Sequence, residues 1–183
     1  MNKYVKAVFC VPYAGIKYLM TKIKNGKAFR AKFPAIMSPL TELTIEKGTD
    51  FSVGKKLKMH NGAKIRVRNG AKVSIGDNFS MSNGCVVTAY ENVCIGNDVM
   101  LGPNVLIYDQ DHDYRAEGGV KAMQFKTAPV EIGNNVWIAA NAIILRGTKI
   151  GDNVVISAGS IVKGVVPSNT VFVQKRIDSL IKY

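Results

Sequence analysis

One interval constrains this 183-residue chain more than any other feature: aliphatic residues return every six positions. Ile132, Ile138, Ile144, Ile150, Ile156 and Val162 follow one another at that spacing without a break. Four residues after each of the first five stand Val136, Ala142, Thr148, Val154 and Ser160, all small or β-branched. Ile95, Leu101 and Ile107 form a second run, with Val99 and Val105 at the same offset. Ile75, Met81 and Val87 form a third, and Val53, Met59 and Ile65 a weaker fourth. Six fits neither the 3.6-residue helical period nor a heptad. It is a whole number of two-residue strand repeats, so the marked side chains share one face of short extended segments.

Turn residues punctuate the units: Gly76-Asp77-Asn78, Gly96-Asn97-Asp98, Gly133-Asn134-Asn135 and Gly151-Asp152-Asn153. Glycine and asparagine accept positive φ at little steric cost, so each group turns the chain through a corner. A short strand plus a corner every six residues winds a prism whose inward aliphatics stack coil upon coil. Each coil is buried only by its neighbours, so the ends need covers. A β-sandwich, by contrast, would show irregular strand spacing.

Charge is local. Residues 1–33 carry eight Lys or Arg and no acid. Residues 51–75 carry Lys55, Lys56, Lys58, Lys64, Arg66, Arg68 and Lys72, again with no acid, and the remaining chain is slightly acidic. Two basic stretches without a nucleic-acid motif argue for local anionic partners and against a nucleic-acid coat. No 18-residue apolar run exists, and the first residues lack a long apolar core with a cleavage site, so the expected location is the cytoplasm. Cys10, Cys85 and Cys94 are widely spaced and read as buried reduced thiols.

The units Ile132-Gly133-Asn134-Asn135-Val136, Ile150-Gly151-Asp152-Asn153-Val154 and Ile156-Ser157-Ala158-Gly159-Ser160 resemble the repeat of the hexapeptide acyltransferases. The resemblance implies an all-β fold: a left-handed parallel β-helix, a triangular prism with three hexapeptides per coil, usually assembled as a homotrimer. About five coils are expected over residues 51–170. Residues 1–50 then form a basic, helical N-terminal segment and the approach to the prism, and residues 171–183 a short tail.

The register breaks once. Ile107 to Ile132 is 25 residues, not a multiple of six, so residues 108–131 must leave the prism as a loop. That loop holds Asp109-Gln110-Asp111-His112-Asp113, and its histidine is one of only two in the chain. Gly102-Pro103-Asn104-Val105, followed at this spacing by His112, resembles the sugar O-acetyltransferase branch of the family. So does the return through Ala128-Pro129-Val130-Glu131-Ile132-Gly133-Asn134-Asn135-Val136-Trp137-Ile138. The resemblance implies that His112 is the general base of an acetyl-CoA-dependent transfer to a sugar or polysaccharide hydroxyl. The chemistry needs such a group, because a neutral imidazole can take the hydroxyl proton as the oxygen attacks the thioester.

Asp109, Asp111 and Asp113 supply carboxylates beside His112, one to orient it or to contact the sugar. Asn83 matches an acceptor-binding asparagine of the branch, and Trp137 matches a position lining its catalytic tunnel. For acetyl-CoA the resemblance points to backbone groups at Ala140 and Ala158 and to the positive side chains of Lys163, Lys175 and Arg176. No metal is expected: a zinc site of the carbonic anhydrase type needs three histidines, and His60 reads as a surface corner residue. An antibiotic hydroxyl as acceptor, or a non-catalytic repeat scaffold, are the competing readings. The basic, aromatic-rich residues 1–33 read either as a helical cap on the prism or as a segment attracted to an anionic membrane surface.

Overall fold

The computed structural model describes residues 3–175. It is a parallel β-solenoid of six full turns and a partial seventh, with one helix, Lys3–Asn25 (α1), at its N-terminal end. Three sheets of seven, seven and six parallel strands form its faces, here called first, second and third in the order the chain visits them.

The six-residue register is the axis of the fold. Val53, Ile75, Ile95, Ile132, Ile150 and Val166 are in direct register on the first face. Met59, Met81, Leu101, Ile138 and Ile156 do the same on the second face. Ile65, Val87, Ile107, Ile144 and Val162 do so on the third. All of these side chains are buried, and so are Val136, Ala142, Thr148, Val154 and Ser160 at the second offset. The two polar members are satisfied inside: the Thr148 hydroxyl donates to the Leu145 carbonyl at 2.6 Å, and the Ser160 hydroxyl lies 2.8 Å from that of Ser157.

The solenoid starts earlier than the readable repeat. Ala31, Met37 and Leu43 are also six apart and pair with Val53, Met59 and Ile65, which adds a coil before residue 51. The helix expected in residues 1–33 closes that coil. Ala14, Tyr18 and Thr21 lie on one side of α1 and are buried, with the Tyr18 ring edge-on to Phe29 at 5.6 Å. Phe29 in turn stacks on Phe51 at 5.5 Å.

At the first corner, between first and second faces, coils stack so closely that a side chain at the leading glycine has no room. A Cβ on Gly76 would stand 2.6 Å from the Gly96 carbonyl. Each following residue knits the stack: the Asn97 side-chain oxygen accepts the Asp77 N–H at 2.8 Å, and that of Asn134 accepts the Asn97 N–H at 2.9 Å. The Asp152 carboxylate accepts the Asn134 N–H at 2.6 Å. Asn78, Asp98, Asn135, Asn153 and Asn169 take the positive-φ position. Of the cysteines, Cys85 is buried as expected, whereas Cys10 and Cys94 are half-buried; all three are free thiols.

Candidate active site

The three corners are unequal. From first face to second, and from second to third, the inward residues are always six apart. From third face back to first the spacing changes: Leu43 to Val53 and Ile65 to Ile75 are each ten, Val87 to Ile95 is eight, Ile144 to Ile150 is six and Val162 to Val166 is four. This third corner is where the 25-residue excursion leaves after Ile107. The chain inserts there because that corner already accommodates different lengths.

The excursion is more ordered than a loop. Gln110–His112 and Phe125–Thr127 form an antiparallel hairpin, His112 facing Phe125, with a 3-10 turn at Gly119–Ala122 near its tip. Its base is closed by the Ala128 N–H donating to the Asp109 carbonyl at 2.9 Å.

His112 is exposed, and its ring sits against Phe125 with centroids 4.5 Å apart. Phe125 lies equally close to Tyr90, which belongs to the third corner of the preceding coil. The Arg68 guanidinium carbon lies 6.0 Å from the Tyr90 ring centre, one coil further back, and Arg68 pairs with Glu46 at 2.6 Å. The imidazole thus ends a row of neighbouring planar groups, each ring pair tilted by 42°, that climbs the third corner over successive coils. Such a row restricts the ring through packing and ring electrostatics.

None of the three aspartates is bonded to that imidazole. Asp109 is fully buried and accepts the N–H groups of Tyr90, Glu91 and Asn92, each at 2.8 Å. It anchors the hairpin base to the coil below; burial pushes its carboxyl pKa up, against the pull of those three donors. Asp111 is exposed and pairs with Arg146 of the next coil's third corner at 2.6 Å. Asp113 pairs with Lys126 across the hairpin at 3.0 Å and accepts the Arg115 N–H at 3.1 Å. The Lys126 ammonium holds it below the usual carboxylate range.

The other expected site residues lie elsewhere on the prism. Asn83 is exposed at the second corner, where its carbonyl accepts the Asn104 N–H at 2.9 Å. Ala140 and Ala158 occupy the same corner in the last two full coils, where the Ala140 carbonyl accepts the Gly159 N–H at 2.8 Å. Trp137 stands half-exposed on the outside of the second face, between Met100 and Val155. Lys163 is exposed at the third corner of the last full coil, and Lys175 is exposed after the final strand, Val171–Phe172. Arg176 lies outside the described residues. Within one chain, therefore, His112 sits at one edge of the third face, and Asn83, Ala140 and Ala158 sit at the other. His60 is exposed at a second corner, and among the described residues no group of three His, Cys, Asp or Glu could hold a metal ion.

Tyr90, Phe125 and Arg146 are the site residues that reading along the chain does not reveal. Their signal is positional: each lies at the third corner or in the hairpin that leaves it, and stacking the coils at their inward aliphatics brings them level with His112.

Comparison with known proteins follows the same outline. Residues 129–164 match the bacterial transferase hexapeptide (six repeats) family. Galactoside O-acetyltransferase of Escherichia coli strain K12 is 38% identical over 101 residues, covering 53% of this chain and 47% of that protein. The crystal structure of a maltose O-acetyltransferase from Clostridium difficile 630 superposes with a TM-score of 0.55 at 39% identity, over 64% of this chain and 62% of that one. A hexapeptide-repeat acetyltransferase of Vibrio cholerae, solved with acetyl coenzyme A, shares the fold over 86% of this chain and 71% of its own, with a TM-score of 0.57 and 20% identity. The chain spans about half the length of the curated relatives it matches. The six-residue register and the three-faced solenoid built on it thus carry, over residues 129–164, repeats similar to those of the bacterial hexapeptide transferases.

Proposed function

We propose that the chain transfers an acetyl group from acetyl-CoA to a hydroxyl of a sugar or polysaccharide precursor, with His112 as general base. One observation carries this reading: the only long insertion into the solenoid, made at its one variable corner, presents an exposed imidazole steadied by Phe125. The similarity to galactoside and maltose O-acetyltransferases supports the sugar acceptor.

In the proposed step the neutral imidazole takes the proton of the acceptor hydroxyl while its oxygen attacks the thioester carbonyl. The tetrahedral adduct collapses, the carbon–sulfur bond breaks, and the CoA thiolate leaves with the proton that the imidazolium returns. A base so placed contributes about 10²–10⁴-fold. With no carboxylate on the imidazole, the Tyr90–Phe125 stack and the hairpin backbone set its orientation.

A homotrimer with its sites between subunits completes the reading. His112 and the second-corner alanines flank opposite edges of one face, so a neighbouring subunit is needed to bring one chain's hairpin to another's corner. Two apolar stripes on the outside support such packing: Met100, Trp137, Val155 and Val171 on the second face, and Leu106, Ile143 and Ile161 on the third. The N–H groups of Ala140 and Ala158 are not engaged among the described residues and suit the amide carbonyls of a pantetheine arm. Lys163 and Lys175 would meet its phosphates, and Asn83 and Trp137 the acceptor.

The test is an acceptor screen with acetyl-CoA and detection of free thiol, comparing wild type with His112→Ala. We expect the variant to lose about 10²–10⁴-fold in kcat/KM on the best acceptor. Equal transfer by both proteins would remove His112 from the mechanism.

A further inference from the structure

α1 has two faces, and the cap uses only one. At about 100° per residue, Ala14, Tyr18 and Thr21 fall together on the side packed against the first coil. On the other side, Val8, Phe9, Ile16, Leu19, Met20 and Ile23 fall within an arc of about 120°, and each is between 59% and 76% exposed. Phe33, itself 52% exposed, lies against the Gly15 edge of this stripe and widens it. Scattered exposed apolar residues need no explanation; a continuous helical stripe of six does.

Charge flanks the stripe. Lys17 and Lys24 lie along one margin and Lys22 along the other, with Lys27 and Lys32 just beyond the helix. Among the described residues none of these lysines is in an ion pair, and the Lys22 ammonium donates to the Phe29 carbonyl at 2.9 Å. Among the described residues no helix is long and apolar enough to cross a membrane. An apolar stripe flanked by lysines, on a helix packed against the first coil of the solenoid, is the form of a segment lying in the plane of a bilayer.

We propose that the free face of α1 docks on an anionic lipid surface, its six apolar side chains entering the acyl boundary and its lysines meeting lipid phosphates. A second copy of the chain fits this face less well. Pairing two such faces about a twofold axis would set lysine rows against lysine rows, whereas anionic headgroups complement them. The inference is independent of the acetyl-transfer reading, because it uses no residue of the hairpin or of the second corner.

The experiment is co-sedimentation of the full chain with vesicles of phosphatidylglycerol and phosphatidylcholine, and with vesicles of phosphatidylcholine alone. We expect wild type to pellet with the anionic vesicles, to stay in solution with the neutral ones, and to be released by high salt. The double variant I16S/I23S should remain in solution at every lipid concentration. K17Q/K24Q should need about thirtyfold more lipid. Ile16, Ile23 and Lys24 are exposed and Lys17 is half-buried, and an unchanged circular dichroism melt verifies that both variants fold. Binding that ignores lipid charge, or wild type that stays in solution with both vesicles, would overturn the proposal. So would a fall in the light-scattering mass of lipid-free I16S/I23S relative to wild type, which would assign the stripe to contact between copies.

Discussion

The coils before the hairpin and those after it solve one packing problem with different perimeters. Before it, strands on the third face are three or four residues long and its return corner takes eight or ten residues. The coils there enclose Phe29, Phe51, Phe79, Met37, Met59 and Met81. After it, the third-face strands shorten to two residues, the return corner to six and then four, and the buried residues at the first-corner offset pass from Leu57 and Phe79 to Val136 and Val154. The prism tapers, and perimeter follows the volume to be enclosed, since interiors pack near crystal density. Two corners keep their six-residue spacing throughout, and only the third absorbs the change. The hairpin bearing His112 emerges at that corner, at the boundary between the wide and narrow halves.

The largest effect expected on this comparison comes from Asp109, which ties the hairpin base to the wide half. Asp109→Ala takes the acceptor from three part-buried N–H bonds, those of Tyr90, Glu91 and Asn92. A loss of about 3 kcal/mol is expected, measured by urea unfolding, together with loss of transfer activity. An unchanged unfolding midpoint would mean that the hairpin base needs no such tie.

Phe125 sharpens the same boundary with a smaller effect. Phe125→Leu keeps apolar volume at the hairpin but removes the ring between Tyr90 and His112. It should lower kcat by about tenfold while KM for acetyl-CoA and the melting temperature hold, a change equal to about 1.4 kcal/mol. A fall confined to KM would place Phe125 in binding rather than in orienting the imidazole.

The smallest effect concerns acid. In the wide half, Arg66 hydrogen-bonds Glu42 at 2.7 and 2.8 Å, and Arg68 pairs with Glu46. The guanidinium bonds hold both carboxyls below the usual glutamate range. Their contribution is fully present above the ordinary glutamate pKa of about 4.3 and is lost as pH falls through the lowered folded values. These groups are about one-third exposed, so the pair together should contribute less than about 1 kcal/mol. E42Q/E46Q should therefore flatten the acid limb of a pH-dependent melt and barely change stability at pH 7. An acid limb unaltered by the double variant would locate the sensitive carboxyls elsewhere.

Much of this architecture is legible in the residues because the solenoid is locally periodic: Ile132 through Val162 announce it without reference to anything distant. The first coil is not, because Ala31 is too small to stand out and the ten-residue return from Leu43 hides the register. The hairpin reads as a loop since Gln110–His112 and Phe125–Thr127 pair only with each other and bury little, leaving no alternating pattern. His112 is found by its place in the break. What holds it is not, because Asp109 binds backbone N–H groups some 18 residues earlier, and backbone donors leave no mark in a sequence. The resemblance to sugar acetyltransferases directs attention to carboxylates beside the histidine; in the fold none of the three bonds to the imidazole, and the Phe125 ring packs against it.

In the proposed function the prism carries the fold and the hairpin carries the chemistry. The direct measurement is to excise residues 110–127 and join Asp109 to Ala128 through Asn-Gly, a turn that keeps the Ala128 N–H on the Asp109 carbonyl. We expect a protein with its solenoid circular dichroism intact and its melting temperature within about 5 °C of wild type, but with acetyl transfer at background. Retained transfer, or a chain that no longer folds, would contradict it.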